Sequence, residues 1–321
     1  MTDLSLSEEA RKGGPNVKPA IVLNHVTKRY NQNEAVKDVS LTIEQGSIVA
    51  LLGANGAGKT TTISMLLGLT KPSSGSIQVL GGNPAHPDAR RFIGAMLQQV
   101  EMVQKVKVRE VIDLFRSYYP TPIPTIDLLK MAGLTTEANK QADRLSGGQQ
   151  RRLQYALAMA GDPRLLFLDE PTTGMDITSR REFWANLRSV FREDGRTLIL
   201  TTHHLEEAES IADRIVLMQR GQVLADGSVK ELKAKTGFSY VSCTLQPQAS
   251  ADVLQTLHHA EGIEISGRQV RIKTKDADAI LRALIFDRYP VEHFEVTTGR
   301  LEDAFISLTS EEQSNEIEGA V

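Results

Sequence analysis

Short apolar runs separated by polar turns predict a sheet of buried strands in the first part of the chain. Three are uninterrupted, at residues 48–52 (IVALL), 165–168 (LLFL) and 197–200 (TLIL), and an earlier one, AIVLNHV, occupies 20–26. Strands that are buried on both faces of a parallel sheet have such continuous apolar runs rather than an alternating pattern. These segments therefore predict the central strands of an α/β fold.

Between these runs, apolar residues recur at helical spacing. Two helices are predicted from apolar residues at helical spacing: Ile63, Leu66, Leu67 and Thr70 in the first, and Leu153, Ala156, Leu157 and Ala160 in the second. Residues 108–119 and 126–134, on either side of a Pro-rich turn, extend the helical pattern over about 99–160. From the residues alone, this region could simply be a packed insertion, and its periodicity selects no docking face.

The last part of the chain has a different pattern. After residue 236 the order is strand (SYVSCTL), helix (ADVLQTLHHA), two strands across Gly267 (IEIS and QVRIKT), helix (AILRALIFDRY), strand (VEHFEVT) and a closing helix (LEDAFISLT). This succession predicts a small α+β module of ferredoxin-like type at 237–309. Residues 1–18 and 310–321 are expected to be flexible tails, which leaves 19–236 as the main domain.

Composition narrows the choice of partners and of compartment. The net charge of −3 gives no general nucleic-acid footprint, and Cys243 is the only cysteine, so a reducing compartment is expected. The N-terminal stretch lacks the apolar segment of a signal peptide, and no run approaches 18 apolar residues. We expect that the chain does not cross a membrane. His258, His259 and His293 lack the spacing of a zinc site.

The string GANGAGKTT at residues 53–61 fits the phosphate-loop pattern and stands between a predicted strand and a predicted helix. Gly53 and Gly58 permit turns that point N–H groups at phosphate, Lys59 reaches the β- and γ-phosphates, and Thr60 offers its hydroxyl to Mg²⁺. The helix after Lys59 would direct its positive end at the nucleotide. The sequence therefore predicts nucleotide binding.

The string LLFLDEP at residues 165–171 supplies two acids at the carboxyl end of a buried strand, where open parallel sheets bind ligands. Asp169 would hold Mg²⁺, directly or through water. Glu170 is positioned to polarise the attacking water as a general base. Taken alone, the string could be a solvated acidic turn before Pro171; the phosphate loop favours the catalytic interpretation.

The string LSGGQ at residues 145–149 predicts a second anion-binding helix start. Ser146 and Gln149 have the spacing of a capping box, and the two glycines between them leave N–H groups bare. One nucleotide does not need two separate cradles on one chain. A capped core helix alone does not explain this string.

These three strings resemble those of the nucleotide-binding subunit of an ATP-binding cassette (ABC) transporter, over about residues 20–235. The closing LEDAF resembles the end of such subunits from bacterial drug and antibiotic exporters, although a packed amphipathic helix explains it equally well. The resemblance implies a phosphate-loop NTPase core of ABC type, with an antiparallel β subdomain and a helical subdomain. It also implies that two subunits enclose two ATP molecules, with the phosphate loop of one facing LSGGQ of the other.

The resemblance assigns roles to further residues. Tyr30 resembles the aromatic that stacks on adenine, although an isolated Tyr is more often a surface or core residue. Gln98, rather than its neighbour Gln99, resembles the glutamine that senses Mg²⁺. Asp176 resembles the loop residue that contacts the opposite subunit, and His203 the switch histidine at the γ-phosphate. The implied nucleotide-binding residues are Tyr30, Gly53, Asn55, Gly56, Gly58, Lys59, Thr60, Thr61, Gln98, Ser146, Gly147, Gly148, Gln149 and Asp176.

The function implied is an ATPase subunit that drives export through separate integral membrane permease subunits. Its catalytic residues are Lys59, Glu170 and His203, and its Mg²⁺ ligands are Thr60, Gln98 and Asp169. ATP and Mg²⁺ are the expected cofactors, and the expected location is the cytoplasmic face of the membrane. An alternative is a soluble ABC ATPase that acts as a regulatory or ribosome-associated switch. Arg151 and Arg152 are expected on a solvated helix face, with no nucleic acid bound.

Overall fold

The computed structural model describes residues 18–98, 104–235, 237–247, 249–250, 254 and 257–306. By spatial proximity these residues form two compact units. One contains the residues up to His203 together with Met218–Val223, and the other contains His204–Leu217 together with the residues from Leu224 onward. Two strands, at Arg214–Gln219 and Gln222–Ser228, contain residues of both units.

The first sheet is antiparallel, with strand order β2-β1-β4. Its middle strand, β1 (Pro19–Tyr30), pairs with β2 (Asn33–Glu44) on one side and with β4 (Ser74–Val79) on the other. In β2, Val39, Leu41 and Ile43 are buried and alternate with exposed residues, as expected for a sheet with one packed face. This sheet is the antiparallel subdomain that the resemblance implies.

The second sheet contains the strands predicted from continuous apolar runs. Its strand order is β5-β6-β7-β3-β8-β9, and β5/β6, β6/β7 and β7/β3 are parallel pairs. The strands are β3 (Ile48–Leu52), β5 (Ile93–Met96), β6 (Leu165–Asp169), β7 (Thr197–Thr201), β8 (Arg214–Gln219) and β9 (Gln222–Ser228). Every residue of β3, β6 and β7 is buried, which explains why their sequences are uninterrupted apolar runs. The three strand predictions are confirmed.

Helices connect these strands. They are α1 (Lys59–Leu66), α2 (Pro87–Arg90), α3 (Val108–Arg116), α4 (Thr125–Met131), α5 (Gly147–Met159) and α6 (Ile177–Asp194), with a short 3₁₀ turn at Ala142–Arg144. Val108, Val111 and Ile112 of α3 are buried, as its periodicity predicts. Residues 99–103, where the predicted helical region begins, lie outside the described residues.

The helix after the phosphate loop is shorter than predicted. It ends at Leu66, so Leu67 is its C-cap and Thr70 lies beyond it. Gly68 has a φ of +68°, and the Leu69 N–H donates to the Ser64 carbonyl at 2.9 Å. A left-handed glycine with such a backward hydrogen bond ends a helix, because it satisfies the last carbonyl groups. The apolar spacing alone does not reveal this stop.

The second unit contains α7 (Leu205–Ile211), α8 (Val229–Lys235) and a four-stranded sheet of order β11-β12-β10-β13. The strands are β10 (Ser239–Leu245), β11 (Ala260–Ser266), β12 (Gln269–Thr274) and β13 (Val291–Thr298), and all their pairings are antiparallel. α9 (Ala277–Phe286) packs Ile280 and Leu284 against Val241, Cys243 and Ile272.

The four strands and α9 follow one another along the chain as the sequence predicts. Half of the helix predicted at 251–260 falls on residues 251–253 and 255–256, which lie outside the described residues. At its other end the prediction is wrong, because residues 257–259 are not helical and Ala260 begins β11. The ferredoxin-like assignment and the domain boundaries therefore stay predictions. The closing helix is present at residues 301–306. A bilayer-spanning helix needs about 20 apolar residues, and in the parts of the chain that the structure describes no helix meets that requirement.

Candidate functional site

A cavity of about 720 Å³ opens where the phosphate loop meets the carboxyl end of β6. Predicted site residues form much of its wall: Tyr30, Asn55, Gly56, Gly58, Lys59, Thr60, Thr61, Gln98, Asp169 and Glu170. The folding of the parallel sheet explains this convergence, because β3 and β6 flank β7 and therefore end at the same edge. Residues far apart in the sequence are thus brought to one site.

Backbone conformation fixes the shape of the phosphate loop. Gly53 has a φ of +151° and Gly58 a φ of +102°. A Cβ on Gly53 would lie 2.2 Å from the Met218 carbonyl oxygen, and one on Gly58 would lie 2.6 Å from that of Ala35. Only glycine fits at these two positions, both because of the positive φ and because of the close approach of another backbone segment.

The Lys59 ammonium lies inside this loop. Its Nζ donates to the carbonyl oxygens of Gly53 at 2.6 Å and of Ala54 at 3.0 Å. Desolvation lowers the pKa of Lys59 below its usual value, while the nearby carboxylates of Glu170 and Asp169 act in the opposite direction. A partly desolvated cation favours an anion as its partner, since the anion replaces lost hydration.

Glu170 stands at the centre of a cluster of polar side chains. Its carboxylate accepts from Gln98 Nε2 at 3.2 Å and from the Thr173 hydroxyl at 3.4 Å. His203 Nδ1 lies 3.3 Å from the other carboxylate oxygen, with the His203 side chain 57% exposed. The backbone of Glu170 has a φ of +48°, an uncommon conformation for a residue with a side chain. Gln99, the neighbour of Gln98, lies outside the described residues.

Asp169 is almost fully buried and accepts a short hydrogen bond of 2.5 Å from the Thr201 hydroxyl. Three side chains that line the cavity carry oxygen atoms able to bind a cation: the Asp169 carboxylate, the Thr60 hydroxyl and the Gln98 amide. Mg²⁺ prefers oxygen ligands and retains several waters when it binds beside phosphate. The donor set therefore fits a Mg²⁺ ion held together with a nucleotide.

The second glycine-containing helix start is formed as predicted. Ser146 caps α5: the Gln149 N–H donates to its hydroxyl at 3.3 Å, and the Ser146 N–H donates to Gln149 Oε1 at 3.1 Å. This reciprocal pair is the predicted capping box. Asp176 caps α6 in a similar way, and hydrogen bonds from the backbone and hydroxyl of Ser179 lower its pKa.

Not all predicted site residues reach the cavity wall. Among the described residues, those outside it are Gly53, Ser146, Gly147, Gly148, Gln149, Asp176 and His203. His203 still contacts Glu170, and the Gly53 carbonyl binds Lys59. The LSGGQ residues and Asp176 do not share a site with the phosphate loop of their own chain in the described structure.

Some residues at the site were not predicted. The wall also includes Asn33, Glu34, Ala35, Lys37 and Arg220, and no motif in the sequence marks them. Thr201 was missed as well, although it directly follows the strand predicted at 197–200 and ends β7. The expectation of a solvated helix face is wrong for Arg151, whose Nη1 lies 3.0 Å from Gln154 Oε1 and 3.4 Å from the Leu97 carbonyl oxygen. Desolvation lowers its pKa.

Comparisons with known proteins agree with this arrangement. Residues 36–173 match the model of the family described as ABC transporter. The chain is 34% identical over 316 residues to the Nod factor export ATP-binding protein I of Ralstonia nicotianae, covering 93% of this chain and 97% of that protein. It is also 36% identical to the ATP-binding cassette sub-family A member 7 of Rattus norvegicus, of which it spans only 15%.

Solved structures show the same fold. An ATP-binding cassette, described as the dimeric structure of a post-hydrolysis state bound to ADP and Pi, superposes with a TM-score of 0.60 at 28% identity and covers 65% of this chain and 98% of that one. A subunit of an ABC transporter complex from Clostridium perfringens gives a TM-score of 0.61 at 26% identity, covering 68% of this chain and 91% of that one. With a relative 34% identical over 97% of its length, this nucleotide-binding chain belongs to the ABC transporter family and is one of its ATPase subunits.

Proposed function

We propose that this chain hydrolyses ATP as one of two subunits that close around two ATP molecules and drive export through separate membrane subunits. The observation that carries the proposal is the single cavity in which Lys59, Thr60, Asp169 and Glu170 converge. This cavity combines a loop that binds phosphate, oxygen atoms that can bind a cation, and a carboxylate that can accept a proton from the attacking water. These are the recurring parts of phosphoryl-transfer sites.

The nucleotide would extend from Tyr30 to the phosphate loop. Tyr30 is 47% exposed and lines the cavity, so a face of its ring is open for an adenine base. The phosphates would lie on the N–H groups of the loop and at the start of α1, with Lys59 as the counter-charge. Asn55, Gly56 and Thr61 complete the same wall.

Mg²⁺, when bound, neutralises charge on the phosphate oxygens. The Thr60 hydroxyl, the Asp169 carboxylate and the Gln98 amide oxygen would hold it. Gln98 also donates to Glu170. Its amide oxygen would bind the cation while its amide nitrogen donates to the proposed base, so Gln98 would contact both.

Hydrolysis is an in-line attack of water on the γ-phosphorus. As the new P–O bond forms, the water proton passes to the Glu170 carboxylate and the bond to the bridging oxygen breaks, leaving ADP. Gln98, Thr173 and His203 hold the two oxygens of that carboxylate from different directions. His203, largely exposed, would then also reach the γ-phosphate.

Pairing of two subunits accounts for the residues that lie away from the cavity. Ser146, Gly147, Gly148 and Gln149 would complete the phosphate site of the opposite chain, and Asp176 would contact that chain. The dimeric state of the related cassette bound to ADP and Pi supports this arrangement. The two chains can be copies of this protein or this protein and a homologue.

The relatives named for Nod factor export support the export direction. On this proposal, the chain lies on the cytoplasmic face of the membrane, held there by integral membrane permease subunits and binding no nucleic acid. Its main domain would span 19–236, with a helical subdomain at about 99–160 and an accessory module at 237–309.

Glu170→Gln tests the ATPase site, because it keeps the shape of the side chain but removes the base. We expect ATP binding to be retained and turnover to fall by roughly 10²-fold or more. Glu44→Gln, an exposed carboxylate at the end of β2, is the control and should hydrolyse ATP as the wild type does. Wild-type turnover in Glu170→Gln would contradict the role of Glu170.

The partner is tested by co-purification. The chain is tagged at its N-terminus, membranes are solubilised in mild detergent without added ATP, and stoichiometric partners are identified by mass spectrometry. A multi-span membrane protein is expected. A ribosome or only soluble proteins would contradict the export proposal and favour a regulatory switch.

A further inference from the structure

Thr201 is the last residue of β7 and lies between the two strands that carry the phosphate-binding and acidic motifs. Its Cα pairs with that of Asp169 in β6 on one side and with that of Leu51 in β3 on the other. Its side chain is only 1% exposed. Thr201 therefore stands directly behind the acids of the site, away from solvent.

The Thr201 hydroxyl bonds to both acidic residues at once. It donates to Asp169 Oδ1 at 2.5 Å and accepts from the Glu170 N–H at 3.1 Å. A hydroxyl has one proton to donate and lone pairs to accept, so the two bonds are compatible. The bond to the carboxylate is charge-assisted and lies in a buried environment, where such bonds are strongest.

The backbone of Glu170 needs this support. A φ of +48° places it in the left-handed region, which is strained for a residue with a side chain. Such a conformation persists when the surroundings fix it. Here the Glu170 N–H is directed at both the hydroxyl and the carbonyl oxygen of Thr201, the latter at 3.2 Å. That conformation sets where the Glu170 carboxylate lies.

We propose that Thr201 is a positioning residue: its hydroxyl fixes the Asp169 carboxylate toward the cation and holds Glu170 in the backbone conformation from which its carboxylate reaches the water. It does not touch the nucleotide and acts through these two acids. The inference rests on the proposed function of the site. Groups that hold a metal ligand from behind typically contribute 10- to 100-fold to metal affinity or activity.

A second threonine in the same strand separates this role from ordinary strand stability. Thr197 begins β7, is also 1% exposed, and its hydroxyl accepts from the Gly46 N–H at 3.0 Å. It is four residues away, about 13 Å along an extended strand. Thr197→Val thus removes a buried, hydrogen-bonded hydroxyl of the same kind without affecting either acid.

The experiment compares Thr201→Val, Thr201→Ser and Thr197→Val with the wild type. Four quantities are measured: the turnover rate, the KM for ATP, the Mg²⁺ concentration that gives half-maximal rate, and the affinity for a fluorescent ATP analogue with and without Mg²⁺. Thermal unfolding midpoints report on the fold. Should Thr201→Val be unfolded, Thr201→Ala removes the same hydroxyl with less bulk.

For Thr201→Val we expect turnover to fall about 10- to 100-fold and the half-maximal Mg²⁺ concentration to rise. Analogue affinity without Mg²⁺ should not change, because the phosphate loop is intact. Thr201→Ser should recover most of the rate, and Thr197→Val should match the wild type. Such a pattern is not explained by lost stability, which would affect both valine variants and would not be specific to Mg²⁺.

If the wild-type chain hydrolyses ATP, two results would overturn the inference. One is a Thr201→Val protein with wild-type turnover and Mg²⁺ requirement; the other is an equal loss of activity in Thr197→Val. A wild-type chain that neither binds nor hydrolyses ATP would overturn both this inference and the proposed function. Wild-type hydrolysis with an unaffected Thr201→Val would overturn the role of Thr201 alone.

Discussion

The described helices α1 and α5 both have glycine at their start, as the N-cap Gly58 of α1 and as Gly147 and Gly148 of α5, and these glycines serve different purposes. At the phosphate loop, a Cβ on Gly58 would lie 2.6 Å from a backbone oxygen, so the chain's own fold requires glycine there. At α5, Gly147 and Gly148 are helical, and a Cβ would meet no atom closer than 4.0 and 3.5 Å, respectively. Because the fold does not need these two glycines, we expect a group from outside the chain to occupy the space in front of them.

The two helices also differ in whether a side chain caps their first turn. The first helix has no side-chain cap at Gly58, so its N–H groups remain available, and Lys59 supplies a cation. The second is capped by Ser146 and has no lysine at its start. A cradle with its own cation can bind a nucleotide alone, whereas the second can only add to a nucleotide that is already held. This difference favours the paired arrangement proposed above.

Ser146→Arg should give the largest effect on this comparison, because it fills the second cradle without changing the first. We expect the ATP affinity of the single chain to be unchanged. In a hydrolysis-deficient background, size-exclusion chromatography should show no ATP-induced dimer. In the otherwise wild-type chain, hydrolysis should fall by roughly 10²-fold. The loss of a helix cap alone costs only about 1 kcal/mol.

Ser228 offers a matched control for that variant. It forms a capping box with Glu231 at the start of α8, with bonds of 2.8 and 3.2 Å. Ser228→Arg removes a cap of the same kind and should leave hydrolysis unchanged. A normal ATP-induced dimer of Ser146→Arg would contradict the facing arrangement.

Gly58→Ala should impair the first cradle itself. We expect the loop to relax away from the strained φ and from the Ala35 carbonyl oxygen, so that restoring its binding shape costs about 1–3 kcal/mol, roughly 5- to 150-fold in affinity. Titration with a fluorescent ATP analogue measures the loss. Gly81→Ala is the control, because Gly81 has a similar φ of +79° but open space around it and does not line the cavity. Equal affinity in Gly58→Ala and wild type would mean that the loop geometry is not needed for binding.

Tyr30→Ala should weaken the base end of the same site by a smaller amount. Stacking of a base on an aromatic ring contributes about 1–3 kcal/mol, and part of the Tyr30 ring already contacts Lys28, whose Nζ lies 4.9 Å from the ring centroid. The KM for ATP should therefore rise by about tenfold. Tyr30→Phe keeps the ring and should bind ATP normally; a loss in that variant would show that the hydroxyl rather than stacking matters.

The features that the sequence predicts correctly depend on residues close together in the chain. The parallel strands β3, β6 and β7 are continuous apolar runs because both their faces are buried, and the capping box of Ser146 and Gln149 is a four-residue pattern. The positive φ of Gly53 and Gly58 is likewise a local property that the glycine spacing of the phosphate loop reveals, whereas the close approach of Met218 and Ala35 is not. Such local patterns can be read without knowing the rest of the fold.

The features that were missed depend on strand register or on packing between distant segments. Thr201 acquires its role only because β7 pairs with β6 so that it faces Asp169, 32 residues earlier. The part of the cavity wall formed by Asn33, Glu34, Ala35 and Lys37 depends on the close approach of β2 to the loop at Gly58. Arg151 contacts the Leu97 carbonyl oxygen, 54 residues away. No pattern along the chain specifies these contacts.

Gly148→Ala should give the smallest effect, and it tests most directly why α5 begins with two glycines. Alanine in a helix is about 0.5–1 kcal/mol more stable than glycine, and the nearest atom to the new Cβ, Met175 Cγ at 3.5 Å, is at an ordinary contact distance. We expect the thermal unfolding midpoint to rise slightly and analogue binding to stay the same, while ATP-induced dimerisation weakens because the methyl group occupies the space for the opposite phosphate. A stabilised protein with unimpaired dimerisation and hydrolysis would show that the space next to Gly148 holds no phosphate. A destabilised protein would show that the fold itself needs Gly148, as it needs Gly58.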